Sequence, residues 1–291
     1  MEGVRSVGGA MTTEAESKVW LITGASSGFG LAVARRVLAA GHCAALTARD
    51  PGVLAGLCAE YPDQARAFAM ELRDGESVAA AVAGAEEAFG KIDVLLNNAG
   101  RGLHGALEEV SEAQMEECIA VNLTGALRVI RAVLPGFRAR GGGRILQVGA
   151  AAAVSNYPGF SVYGGAKAGV ELACEALAAE VGPLGIRVTV VIPGPFRTDF
   201  IRRSLDRAEE PMEAYARTAG KFGALLKGMD GKQPGDPDKA AAAMVRISEE
   251  ERPPFRLVLG TYATGKVKKH LEAVRGELEA WEAVGKPTEF S

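Results

Sequence analysis

The sequence carries little excess of either charge. Its 33 Lys plus Arg nearly balance 36 Asp plus Glu, for a formal net charge of -3, so no global field draws nucleic acid or an anionic membrane to the chain. No apolar run approaches the roughly 20 residues of a spanning helix, which argues against an integral membrane protein. Residues 1–17 lack the apolar stretch of a secretory signal, so the expectation is a disordered leader on a cytoplasmic protein. Cysteine is sparse too. Cys43, Cys58, Cys118 and Cys174 stand far apart, and His42, His104 and His270 are the only histidines. No C-x-x-C pair or zinc-type spacing emerges, so no metal site is expected. In a reducing compartment these cysteines read as small buried apolar side chains rather than disulfide partners.

Glycine is what the chain has in excess. Against a usual share of about 7%, 37 glycines in 291 residues require many tight turns or close backbone approaches. Short apolar runs at 18–23, 42–48, 66–70, 92–96, 144–148, 187–192 and 255–259 predict strands. They carry no period-2 alternation, as suits strands buried on both faces. Helical patterns fill nearly every gap. The first spans 29–40, with Leu31, Val33, Ala34, Val37 and Leu38 in one stripe. This alternation predicts an α/β fold: a single Rossmann-type, doubly wound parallel sheet with helices on both faces. No linker or internal repeat divides residues 18–291. Residues 195–239, with Pro195, Pro211, Pro234 and Pro237, read as an insertion beyond a strand's carboxyl end, where a lid over substrate belongs. An amphipathic helix over 264–284 closes the chain.

Chemistry concentrates in three places. The turn Thr23-Gly24-Ala25-Ser26-Ser27-Gly28-Phe29-Gly30 lies between the first strand and the first helix, the context in which a glycine-rich turn seats a dinucleotide diphosphate on a helix N-terminus. About 20 residues on, where an acidic side chain usually holds the adenosine ribose, the sequence reads Thr47-Ala48-Arg49-Asp50. Ala48 supplies no anion and Arg49 offers a guanidinium to a 2′-phosphate, which selects NADP(H); a register shift would make Asp50 the ribose ligand instead. Finally, Tyr163 and Lys167 stand four residues apart, on one helix face. A lysine cation beside the phenol favours the phenolate, bringing the tyrosine nearer to acid/base duty.

Together these motifs resemble the core-length short-chain dehydrogenases/reductases, NAD(P)-dependent oxidoreductases. The resemblance spans residues 18 to about 260. It also rests on Asn97-Asn98-Ala99-Gly100 after a strand, Asn122 within Val121-Asn122-Leu123, and Pro193-Gly194. It implies that Tyr163, Lys167 and Asn122 are catalytic, with Asn122 supporting Lys167 through a water. It further implies that Gly24, Ser26, Ser27, Gly28, Phe29, Gly30, Arg49, Asn98, Ala99, Gly100, Tyr163, Lys167, Pro193 and Gly194 surround the dinucleotide. Glu71 and Leu72 then lie beside adenine and Thr198 beside the nicotinamide amide. The helical segments 111–138 and 163–182 match those that pair in the family's homodimers and homotetramers.

One position departs from the family pattern. The serine expected thirteen residues before the tyrosine, where its hydroxyl orients the substrate oxygen, is Ala150. The substrate's own hydroxyl, a water, or Ser155, Asn156 or Ser161 would have to replace it. In the lid, the arginines Arg197, Arg202, Arg203 and Arg207 read as a solvated face. Phe196, Phe200, Phe222, Leu225 and Leu226 suit closure over a hydrophobic substrate. Reduction of a carbonyl on a small apolar molecule is the expected activity. Two alternatives stay open: non-redox acid/base chemistry (a dehydratase, epimerase or cyclase) and NADP(H) binding without turnover.

Overall fold

The computed structural model describes residues 17–290; the expected leader lies, but for Ser17, outside them. Among the described residues, seven strands form one sheet: β1 (Val19–Ile22), β2 (Cys43–Ala48), β3 (Ala65–Ala69), β4 (Val94–Asn97), β6 (Gly143–Val148), β7 (Ile186–Pro193) and β9 (Arg256–Leu259). Their order is β3-β2-β1-β4-β6-β7-β9, and every neighbouring pair is parallel. Each expected strand is present to within two residues at either end.

The helices are α1 (Gly28–Ala39), α2 (Ala55–Glu60), α3 (Gly75–Phe89), α4 (Glu112–Ile119), α5 (Ala126–Ala139), α6 (Ala151–Val154), α7 (Ser161–Val181), α8 (Lys221–Met229), α9 (Pro237–Glu249) and α10 (Thr261–Gly285). They divide between the two faces because successive strand residues point to opposite sides. Leu21 joins a core with Val82 of α3, Val129 and Phe137 of α5 and Val170 of α7. Its neighbours Trp20 and Ile22 join another with Val33 and Val37 of α1, Leu57 of α2 and Met244 of α9. The helical run 112–139 is long and apolar enough on average to cross a bilayer, although no unbroken apolar stretch reveals this in the sequence. Here Val129, Ile130, Val133 and Phe137 are buried in the sheet-facing core.

Two details differ from expectation. Residues 237–239 belong to α9 rather than to the insertion. Pro237 opens that helix, and the Asp236 carboxylate accepts the Asp238 and Lys239 N–H groups as its N-cap. The insertion also contains a strand, β8 (Leu205–Arg207), which pairs in parallel with β5 (Gly102–His104) just after β4. These three-residue strands are too short to leave a periodic signal, yet they clamp the insertion to the carboxyl end of the sheet.

Candidate active site

The strand order reverses between β1 and β4, which opens a crevice at their carboxyl ends. There the glycine turn is shaped by separate constraints. Gly24 and Gly28 take positive φ of 64° and 54°, conformations that glycine adopts without a steric penalty. A Cβ on Gly30 would strike the Gly24 carbonyl oxygen. Asn98 of the neighbouring loop ties the turn down, its Nδ2 donating to the carbonyls of Thr23 (3.0 Å) and Gly24 (3.2 Å). At the start of α1, Ser27 makes no side-chain cap bond and the first turn holds no acid. Free N–H groups, the Ser26 and Ser27 hydroxyls in the wall and the helix dipole together suit a diphosphate.

This turn forms one end of a cavity of about 530 Å³. Of the residues expected to surround a dinucleotide, all but Gly30 line it; Gly30 packs beneath the turn. β2 ends at Ala48, so Arg49 is the first residue beyond the strand and stands in the cavity wall. Asp50 is not in that wall. Its Oδ1 accepts the Gly52 N–H at 2.9 Å and caps the turn Pro51–Leu54. Hydrogen bonds from Arg73 hold the Glu71 carboxyl below its ordinary range, with Arg49 adding to the positive field.

Tyr163 and Lys167 both come from α7 and both are buried. The Lys167 ammonium donates to the Val148 carbonyl at 3.0 Å. Burial pushes the lysine down to about 8 and lifts the tyrosine well above its ordinary value, with the Cys118 thiol adding to the rise. Burial, not the lysine's expected pull on the phenol, dominates here, because desolvation penalises each group's charged form. Burial thus favours the neutral phenol, which suits a proton donor, and loosens the lysine's hold on its own proton. Asn122 lies in a π-helical turn, Ala120–Gly125, between α4 and α5. Its Nδ2 donates to the carbonyls of Cys118 (2.9 Å) and Arg101 (2.6 Å), and its Oδ1 accepts the Arg101 N–H (3.2 Å). Gly100 lies between Asn122 and Lys167: a Cβ there would lie 2.8 Å from Asn122 Oδ1 and 3.2 Å from Lys167 Nζ.

Residues 18–209 match the family model for short chain dehydrogenase. The chain belongs to the short-chain dehydrogenase/reductase family. A short-chain dehydrogenase from Streptomyces avermitilis is 41% identical and superposes with a TM-score of 0.89 over 94% of this chain and 100% of its own. An oxidoreductase of Botryotinia fuckeliana is 35% identical over 267 residues, 91% of this chain and 97% of the relative. A 3-ketoacyl-(acyl-carrier-protein) reductase from Brucella melitensis, complexed with NADH, is 28% identical with a TM-score of 0.70, over 84% of this chain and 97% of its own.

In this short-chain dehydrogenase/reductase, Ala150 stands in the cavity wall at the N-cap of α6, in extended conformation. Ser155, Asn156 and Ser161 are not in that wall. Asn156 is committed to the backbone, donating to the Phe160 carbonyl and accepting the Tyr157 N–H. The wall instead holds Tyr157 and Tyr262, whose hydroxyls are 3.1 Å apart. Sequence reasoning missed this pair, because 105 residues separate them and only the docking of α10 brings them together. Tyr157 stacks on Phe222 with ring centroids 4.7 Å apart, and Phe160 meets Phe222 edge-on. All five expected apolar lid residues line the cavity. Of the lid arginines, only Arg203 does; Arg197 donates to the Gln233 carbonyl and Arg202 pairs with Asp230.

Proposed function

We propose that this short-chain dehydrogenase/reductase reduces the carbonyl of a bulky apolar ketone with NADPH. The observation that carries the reading is the single cavity in which Tyr163 and Lys167 lie between a diphosphate cradle and an aromatic wall. A bound nicotinamide dinucleotide supplies the hydride. Tyr163, held neutral by burial, gives its proton to the carbonyl oxygen. Lys167 holds the cofactor's ribose hydroxyls and stabilises the phenolate left behind. Asn122 fixes the Arg101 loop beside Gly100 and supports Lys167 through a water. Thr198 holds the nicotinamide end, and the Phe160, Phe200 and Phe222 rings exclude water from the reacting carbonyl. The faces of α4, α5 and α7 pair copies of the chain into a homodimer or homotetramer.

Arg49 supports the choice of NADPH, because it stands beyond Ala48 where a ribose-binding carboxylate would repel a 2′-phosphate. Titration by fluorescence is expected to show tighter binding of NADPH than of NADH. Arg49→Ala should weaken NADPH alone, by about 10- to 100-fold for a lost charge-assisted contact. Equal curves for the two nucleotides in the unmodified protein contradict this selectivity.

A further inference from the structure

Helix α10 begins in the body and leaves it. Ala263 is fully buried, packed against Gly194, but from residue 271 to 290 every position is exposed. The helix nonetheless continues to Gly285, with Gly276 in its course. A solvated helix without packing is marginal, and an interior glycine weakens it further. Its apolar residues are also ordered rather than scattered. Val267, Leu271, Val274, Leu278 and Trp281 follow one another at alternating steps of four and three, the spacing of a two-stranded coiled-coil seam. The last four are 60%, 45%, 69% and 69% exposed.

We propose that this seam is covered by the α10 helix of a second copy of the chain, running antiparallel. Charge complementarity sets both the occupant and the direction. Lys268, Lys269 and Arg275 outweigh Glu272 in the body-proximal half, Lys266 being turned over the Tyr157 ring of its own body, and Glu277, Glu279, Glu282 and Glu289 outweigh Lys286 in the distal half. An antiparallel partner lays its acidic half over this basic half, and the converse. A parallel partner stacks like on like and brings Glu277 against Glu282 across the seam. The acidic outer half likewise opposes an anionic lipid surface. Centred on Gly276, the antiparallel register sets Leu271 against Trp281 of the second copy and Val274 against Leu278. At about 1.5 Å per residue it leaves the two bodies at opposite ends of the pair, free of each other. This contact is additional to pairing through α4, α5 and α7.

The full-length protein tests it by sedimentation equilibrium and by cross-linking. Leu271→Ser/Leu278→Ser is expected to halve the native mass while leaving the circular-dichroism melt of the body in place; an unchanged mass overturns the proposal. Under mild oxidation, Leu271→Cys/Trp281→Cys should form a disulfide between chains and Leu271→Cys alone should not. Absence of the link in the double variant, or its presence in the single one, overturns the antiparallel pairing. Vesicles of phosphatidylcholine and phosphatidylserine provide the third arm. Wild-type protein that runs at the mass of the serine variant and pellets with vesicles shows a lipid-binding face and overturns the proposal as well.

Discussion

Tyr163 and Lys167 each resist carrying charge, and the direction of that resistance fixes how the site responds to pH. With the lysine at about 8 and the tyrosine far above it, the phenol is protonated and the ammonium charged through the neutral range. Reductive turnover should therefore stay level up to about pH 8 and fall above it as Nζ loses its proton. Oxidation of the alcohol needs a base at the same oxygen and should climb instead. Initial rates in both directions across this range check the pair; a reductive rate that rises through pH 8 contradicts it. Ala150 gives a second test. Its extended backbone at the N-cap of α6 accepts serine without strain, and Ala150→Ser should add about 1 kcal/mol as a cap. For ketones with no hydroxyl of their own, turnover should rise by up to about 10²–10³, the worth of one oxyanion donor. No gain while NADPH still binds would show that the missing hydroxyl does not limit the rate. These residues were legible from sequence because a glycine turn and a tyrosine–lysine pair are local patterns. Tyr157 and Tyr262 were not, since packing alone makes them neighbours.

The π-helical turn between α4 and α5 is the element that positions Asn122. Widening the helix by one residue per turn displaces backbone bonds from their usual partners, and the Asn122 side chain takes up the Cys118 carbonyl and both polar groups of Arg101. Asn122→Ala is thus expected to lose about 1–3 kcal/mol of stability by leaving buried backbone groups unpaired, together with turnover. A urea midpoint equal to that of the unmodified protein would contradict this positioning role. No hydrophobic pattern announces a π turn, because it changes the bonding offset and not the identity of the buried face. The sheet strands, in contrast, were visible because burial on both faces makes them apolar throughout. The β5 and β8 strands are too short for that signal, and Pro237 reads as part of the insertion because a proline at a helix start looks, in isolation, like one in a loop.

At the scale of the whole molecule, one parallel sheet and its switch point place a diphosphate cradle, a buried phenol and an aromatic lid around one space. The domain was legible because strand and helix patterns alternate from end to end. The ligand-facing arrangement of the insertion was not, because it depends on a two-stranded clamp and on the docking of α10. The proposed reaction is hydride transfer to a carbonyl with Tyr163 as proton donor. Its most direct test follows a deuterium label from the transferable position of NADPH, with bulky aryl ketones as acceptors and mass spectrometry of the products. The account predicts deuterium on the carbinol carbon, with turnover reduced about 10²–10⁴-fold in Tyr163→Phe while NADPH affinity is nearly retained. Product formed without deuterium, or label transfer undiminished in Tyr163→Phe, would contradict it.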